Sequence, residues 1–230
     1  MNEKKTEQID QNWDEYWSRS SKKQSHWAYD QIAIFYRKFI IRPSLTGFIR
    51  KYFRAGDKVL HAGCGSGQVD GGISDYIDIT ALDLSTEALQ LYQKFNPQVK
   101  NCIHGSIFDI QMAAASFDGI YNLGVMEHFD RQDIQKILLE FNRVLKSGGK
   151  IVLFWPPKQG LSVNFLKAVH FLLNNVLKKN IILHPAELVH ISSPKEAQKI
   201  LQNAGFSMLE YSFGPSDVFT HAIVVGQKIA

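Results

Sequence analysis

From Lys58 onward, short apolar runs alternate with stretches whose apolar residues recur at helical spacing. KVLHA, IDITALDL, VKNCIH, FDGIYNLG and KIVLFW read as strands, and their continuous apolar character is that of strands covered on both faces. Between them, STEALQLYQKF sets Ala88, Leu91, Tyr92 and Phe95 on one face behind Ser85 as cap. Ile134, Ile137, Leu138, Phe141 and Leu145 line a second helix that runs to Gly148 and Gly149. SSPKEAQKILQNAGF carries Ser193 as cap, Pro194 in the first turn, Glu196 closing a capping box and Gly205 as terminator. The chain then departs from alternation: FSMLEYSF and DVFTHAIVVGQK follow each other through GPS with no helix between, which predicts an antiparallel hairpin. The pattern is that of an α/β protein with a doubly wound, mostly parallel sheet ending in an antiparallel hairpin strand.

Residues 1–55 are helix-compatible, rich in Trp and Tyr, and predict a helical N-terminal lid broken near Pro43. An inserted cap is expected over 158–192, within one domain spanning 1–230. In it, LSVNFLKAVHFLLNNVLKKN sets Leu161, Phe165, Val169, Leu172 and Val176 opposite Lys167, His170, Asn174 and Lys178. Such a helix packs as a cap, roofs a pocket, touches a membrane surface peripherally or makes a dimer contact. The formal charge of +4 is too small to argue for nucleic acid. Two cysteines, Cys64 and Cys102, make no disulfide framework, and MNEKKTEQID lacks the apolar core of a signal peptide; both predict a cytoplasmic protein without a membrane span.

The chemistry-bearing stretch is HAGCGSG. Gly63, Gly65 and Gly67 alternate between a strand and a following segment, where missing Cβ atoms let a ligand approach the main chain. Asp83, at the end of the second strand in ALDLS, can accept both hydroxyls of a ribose. A tight turn and a helix-entry acid are the plainer explanation, but loop and acid fall in one βαβ unit. Gln68 stands where a dinucleotide fingerprint carries its third glycine, which disfavours a nicotinamide or flavin oxidoreductase.

With these elements in order, the chain resembles the class I S-adenosylmethionine-dependent methyltransferases, in their small-molecule branch, which implies a Rossmann-like fold. VLHAGCGSG is similar to the family's first motif, ALDLS to its second, FDGIYNLGVMEHF to its fourth, and EFNRVLKSGGKIVLFW to the helix, turn and fifth strand. The resemblance implies S-adenosyl-L-methionine as cofactor and an unidentified small-molecule acceptor. By position, it puts Gly63, Cys64, Gly65 and Gly67 against the cofactor's carboxypropyl end, Asp83 on the ribose and Leu84 on the adenine. It puts the backbone of Asn122 and Leu123 at the methionine end, and Ser106 and Ile107 at the adenine edge. The family more often has Asp where Ser106 stands; a hydroxyl still hydrogen-bonds there without the acid's charge.

His61 is the second departure, because the family carries there an acid that helps orient the cofactor's charged amino-acid end. A neutral imidazole keeps one acceptor, whereas a protonated one repels an ammonium; the alternative is that His61 merely fills a strand end. His128, in GVMEHF, is the candidate base, weighed against a packing role; His184 and His190 are weaker candidates. Tyr29 and Tyr36 are lid residues in reach of substrate or cofactor. The alternative to an enzyme is a non-catalytic protein that binds S-adenosylmethionine or S-adenosylhomocysteine and regulates. Oligomeric state is open.

Overall fold

The computed structural model describes Trp17, residues 34–157 and residues 188–229. Tyr29, His184 and the stripe of the expected cap lie outside them. Among the described residues, one sheet runs in the order β3-β2-β1-β4-β5-β7-β6. Its strands are β1 (Lys58–Ala62), β2 (Asp78–Asp83), β3 (Asn101–His104), β4 (Phe117–Leu123), β5 (Leu145–Trp155), β6 (Phe206–Ser212) and β7 (Ala222–Lys228). β1 to β5 pair in parallel, and β7 slots antiparallel between β5 and β6. This is the doubly wound fold expected from the alternation.

Side-chain alternation divides the core into two layers. Leu60, Leu82, Ile120, Leu153 and Val224 face α3 (Arg131–Val144) and α4 (Pro194–Asn203). Val59, Ile79, Tyr121, Val152, Phe154 and Val225 face α1 (Arg42–Tyr52) and α2 (Thr86–Phe95). On that second face a Cβ at Gly119 would lie 2.0 Å from Cε1 of Phe53, so only glycine lets the end of α1 close onto β4.

Three local expectations change. The chain does not break at Pro43: a π-turn over Arg37–Ile41 passes directly into α1, with the Arg42 N–H bonded to the Arg37 carbonyl and the proline in the first turn. A proline there needs no donor, and the widened turn before it accommodates the ring. α3 ends at Val144, not at the glycines, because Ala115 and Ser116 N–H take the carbonyls of Arg143 and Val144 while Leu145 already pairs with Phe117. In α2 the buried face is Ala88, Leu89 and Tyr92, leaving Phe95 exposed. The α4 cap forms as expected, Ser193 Oγ accepting from Glu196 N–H, although Glu196 reaches back to Ser192 N–H instead of the cap's own.

Candidate cofactor and active site

The carboxyl ends of β1, β2 and β4 meet at one rim. After β1 the chain turns so that Gly63 and Cys64 N–H both bond the Leu82 carbonyl, at 2.8 and 3.0 Å, locking the glycine loop onto the end of β2. Gly63 and Gly65 take φ of +71° and +51°, which glycine adopts without strain. Asp83 closes the unit: Oδ2 accepts from Gly65 N–H at 2.8 Å and Oδ1 from Ser85 N–H at 3.0 Å. Burial pushes its carboxyl pKa up, against the pull of those N–H groups and of nearby His61. A carboxylate offers about four acceptor positions, so these bonds do not exhaust it.

Gly67 serves a different end. Its Cβ would sit 2.3 Å from Tyr92 and 2.5 Å from Asn96, and Asn96 Nδ2 donates to its carbonyl at 2.9 Å. Its missing side chain admits α2, not a ligand. Gln68 is held from the N-terminal helix by Arg37 on its side chain and Arg42 on its carbonyl.

His61 is neither at the surface nor simple filler. Its Nδ1 lies 2.7 Å from Asp70 Oδ2, and its ring stacks on Tyr121 at 4.2 Å between centroids. Tyr92 donates to the same Asp70 oxygen at 2.7 Å. All four side chains are buried. Asp70, which the sequence did not single out, is therefore the acid of this region.

Asn122 is buried, donates through Nδ2 to the Ala62 carbonyl at 2.9 Å and leaves Oδ1 without a partner among the described residues. Cys64 is buried as well, and burial raises its thiol pKa well above the usual value. Leu123 is half-buried; so is Leu84, whose carbonyl meets His104 Nε2 at 2.8 Å. Ser106 accepts from Phe108 N–H, and Ile107 is buried in the core facing α3. His128 sits in a one-turn helix, Met126–His128, with Nε2 4.0 Å from Glu127 Oε1.

A second imidazole stands on the same rim. Ala222 opens β7 opposite Trp155, at the carboxyl end of β5, so His221 lies beside the ends of the parallel strands. Asp217, fully buried, accepts from both the His221 N–H and the His221 side chain, with Oδ2 3.0 Å from Nδ1. The ring packs edge-on against Phe154 at 5.7 Å. Tyr36 donates to Thr220, and burial pushes the phenol's pKa up to about 12. Val218 and Phe219, both at positive φ, hold this turn in a conformation uncommon for bulky residues. Asp217 and His221 were not found in the sequence, since only the hairpin geometry turns their i, i+4 spacing toward the rim. At the other end, Trp17 covers Gly65: a Cβ there would be 2.8 Å from its indole.

Residues 60–153 match the family described as a methyltransferase domain. The chain carries a methyltransferase domain. It is 29% identical over 105 residues to O-methyltransferase rstn1 of Aspergillus nomiae, covering 43% of this chain and 46% of that protein. With the eEF1A lysine and N-terminal methyltransferase homolog of Drosophila melanogaster it shares 24% over 199 residues, 80% of this chain and 27% of that protein. The methyltransferase chain thus spans less than half the length of either relative. Its fold is that of the 1,6-didemethyltoxoflavin-N1-methyltransferase of Burkholderia thailandensis, solved with bound 1,6-didemethyltoxoflavin and S-adenosylhomocysteine: TM-score 0.61, 17% identity, 88% of this chain and 84% of that one.

Proposed function

We propose that this methyltransferase transfers the methyl group of S-adenosylmethionine to a small-molecule acceptor. The observation that carries the reading is the joining of Asp83 to the Gly65 N–H, which sets a carboxylate with unused acceptor positions beside a Cβ-free loop. The residues suit the cofactor. Asp83 would accept the ribose hydroxyls, Gly63 to Gly65 would lie along the carboxypropyl chain, and the unpartnered Asn122 Oδ1 would accept from the ammonium. Bound there, the cofactor supplies an electrophilic methyl group on a sulfonium, and the protein's part is to align an acceptor and keep water out.

For a hydroxyl acceptor, a base is needed to remove its proton. Two imidazoles compete for that role. His128 follows β4, with Nε2 4.0 Å from Glu127 Oε1, too far for a hydrogen bond that would orient the ring. His221 has its Nδ1 taken by Asp217 and its Nε2 without a hydrogen bond among the described residues, the arrangement of a base oriented by an acid. We assign His221 as the base for an oxygen acceptor, with Tyr36 as a neighbouring hydroxyl held protonated by burial.

A small-molecule acceptor is favoured by the likeness to the toxoflavin enzyme over most of both chains. The eEF1A relatives favour a protein lysine as the second reading. Free thiols at Cys64 and Cys102 favour a reducing compartment. The test is calorimetric titration of S-adenosylhomocysteine into the full chain, then incubation with methyl-labelled S-adenosylmethionine and phenols, heteroaromatic amines or lysine peptides. Label in extracted phenol or amine supports the reading. Label in peptide supports the second, and no S-adenosylhomocysteine binding by folded protein refutes both.

A further inference from the structure

The acid expected at position 61 is replaced by a histidine, yet a carboxylate still reaches this spot from elsewhere in the chain. Asp70 lies beyond the glycine loop, its N–H bonded to the Gly67 carbonyl at 3.0 Å, and is completely buried. Oδ2 receives two contacts at 2.7 Å, from Tyr92 Oη and His61 Nδ1. An ionised carboxylate has no proton to give, and Tyr92 Oη is held protonated because burial and Asp70 itself push its pKa far up. Both contacts are therefore donations to Asp70, which places a proton on His61 Nδ1. In the Nδ1–H tautomer Nε2 holds a lone pair, and no described residue hydrogen-bonds to it.

We propose that Asp70 is a positioning residue for cofactor binding: it fixes His61 as the Nδ1–H tautomer, so that Nε2 presents a buried acceptor for the cofactor's ammonium at the end of β1. The family's acid has moved from the strand to the loop and acts through an imidazole. The inference rests on the proposed cofactor site.

Several titratable groups surround this pair. Tyr121 stacks on the ring, and its hydroxyl is kept protonated by burial and by Asp70. Asp83, at the end of the neighbouring strand, has its carboxylate bonded by the Gly65 and Ser85 N–H groups, and the buried Cys64 thiol is a neutral neighbour. Asp70 Oδ1, an acceptor, and Tyr121 Oη, a donor, have no hydrogen-bond partner among the described residues. None of these groups competes for Nδ1. Protonating His61 would turn Nε2 into a donor and remove the acceptor.

The tautomer is read by ¹⁵N NMR of histidine-labelled full chain at pH 8 without cofactor. Nδ1 protonated and Nε2 bare at His61 is the expected result, with the pattern lost in Asp70→Asn. Nε2 protonated in the wild type overturns the proposal, whether or not any variant folds. Calorimetry with S-adenosylhomocysteine supplies the second arm. Asp70→Asn should weaken binding about tenfold or more, the loss of a hydrogen bond to a charged group. Tyr92→Phe, which removes the other bond to the same oxygen, should weaken it less than about threefold, a smaller effect than one hydrogen bond. Equal losses would make Asp70 merely structural and overturn the proposal. The double variant His61→Asp/Asp70→Asn, which returns one carboxylate to the strand, should bind more tightly than Asp70→Asn alone; no recovery overturns it. Failure of wild-type binding would instead refute the cofactor site, leaving the NMR arm to decide the His61–Asp70 coupling.

Discussion

Restoring the family's acid at position 61 looks like an improvement in the sequence and is a defect in the structure. In His61→Asp a carboxylate would face Asp70 across a space now closed by a 2.7 Å hydrogen bond, with both positions buried. Two unit charges about 4 Å apart at an effective dielectric near 20 repel by about 4 kcal/mol. The pair escapes by keeping one proton, at about 1.4 kcal/mol per unit of pKa rise, or about 4 kcal/mol to stay protonated at pH 7 from a normal value near 4. Loss of the Tyr121 ring contact adds roughly 0.5–1.5 kcal/mol. The expected cost is therefore roughly 4.5–5.5 kcal/mol at pH 7, read from urea unfolding of the cofactor-free chain. The sign with pH is fixed: the folded variant holds a proton that the unfolded chain releases, so its deficit shrinks by about 1.4 kcal/mol for each unit of acidification. Adding Asp70→Asn should recover most of the loss. A variant as stable as the wild type at pH 7, with the same pH slope, would refute the claim that these side chains face each other.

Asp83→Ala should lower S-adenosylhomocysteine affinity by about a hundredfold or more, two bonds to a charged group being lost, with circular dichroism showing the fold retained. Gly67→Ala should cost about 2–4 kcal/mol in urea unfolding, since its φ is +64° and the new methyl meets Tyr92 at 2.3 Å. Glu140, which accepts from Arg143 and from Ile110 N–H, has its pKa lowered chiefly by Arg143. Its contribution is present above the unfolded pKa and lost as pH falls through the folded one. Glu140→Gln should therefore cost about 1 kcal/mol at pH 7 and progressively less below pH 4.5, measured by thermal unfolding across that range.

The sheet was legible because burial on both faces writes itself as apolar runs, and because capping residues such as Ser85 and Ser193 sit directly before the helices they start. What the pattern could not resolve was satisfied from afar. α3 stops at Val144 because the Ala115 and Ser116 N–H groups take its last carbonyls, and no residue within the helix signals that. Phe95 carries helical periodicity yet is exposed, since periodicity gives a face but not its partner. Among the glycines, HAGCGSG looks uniform, but Gly67 is needed for packing against α2 while Gly63 and Gly65 shape the rim.

The site was read by position, and position misled wherever two side chains share one role. His61 was a departure only while it was considered alone; beside Asp70 it is half of a pair. The second pair repeats the arrangement: His221 Nδ1 on Asp217 Oδ2, a fully buried carboxylate, with a tyrosine kept protonated nearby. Both imidazoles lie on the sheet face that carries Tyr121 and Phe154, one against each ring. In each, Oδ1 of the acid lacks a hydrogen-bond partner among the described residues, and Oδ2 takes both the imidazole and one further donor, Tyr92 Oη at Asp70 and the His221 N–H at Asp217. A carboxylate placed on Nδ1 in this way fixes the orientation of the ring, and such buried polar pairs occur where orientation has a use. In the proposed function, that use is an acceptor for a cation at His61 and a base for a hydroxyl at His221. The same device would then serve opposite ends of one reaction, binding the donor at β1 and deprotonating the acceptor beside β5.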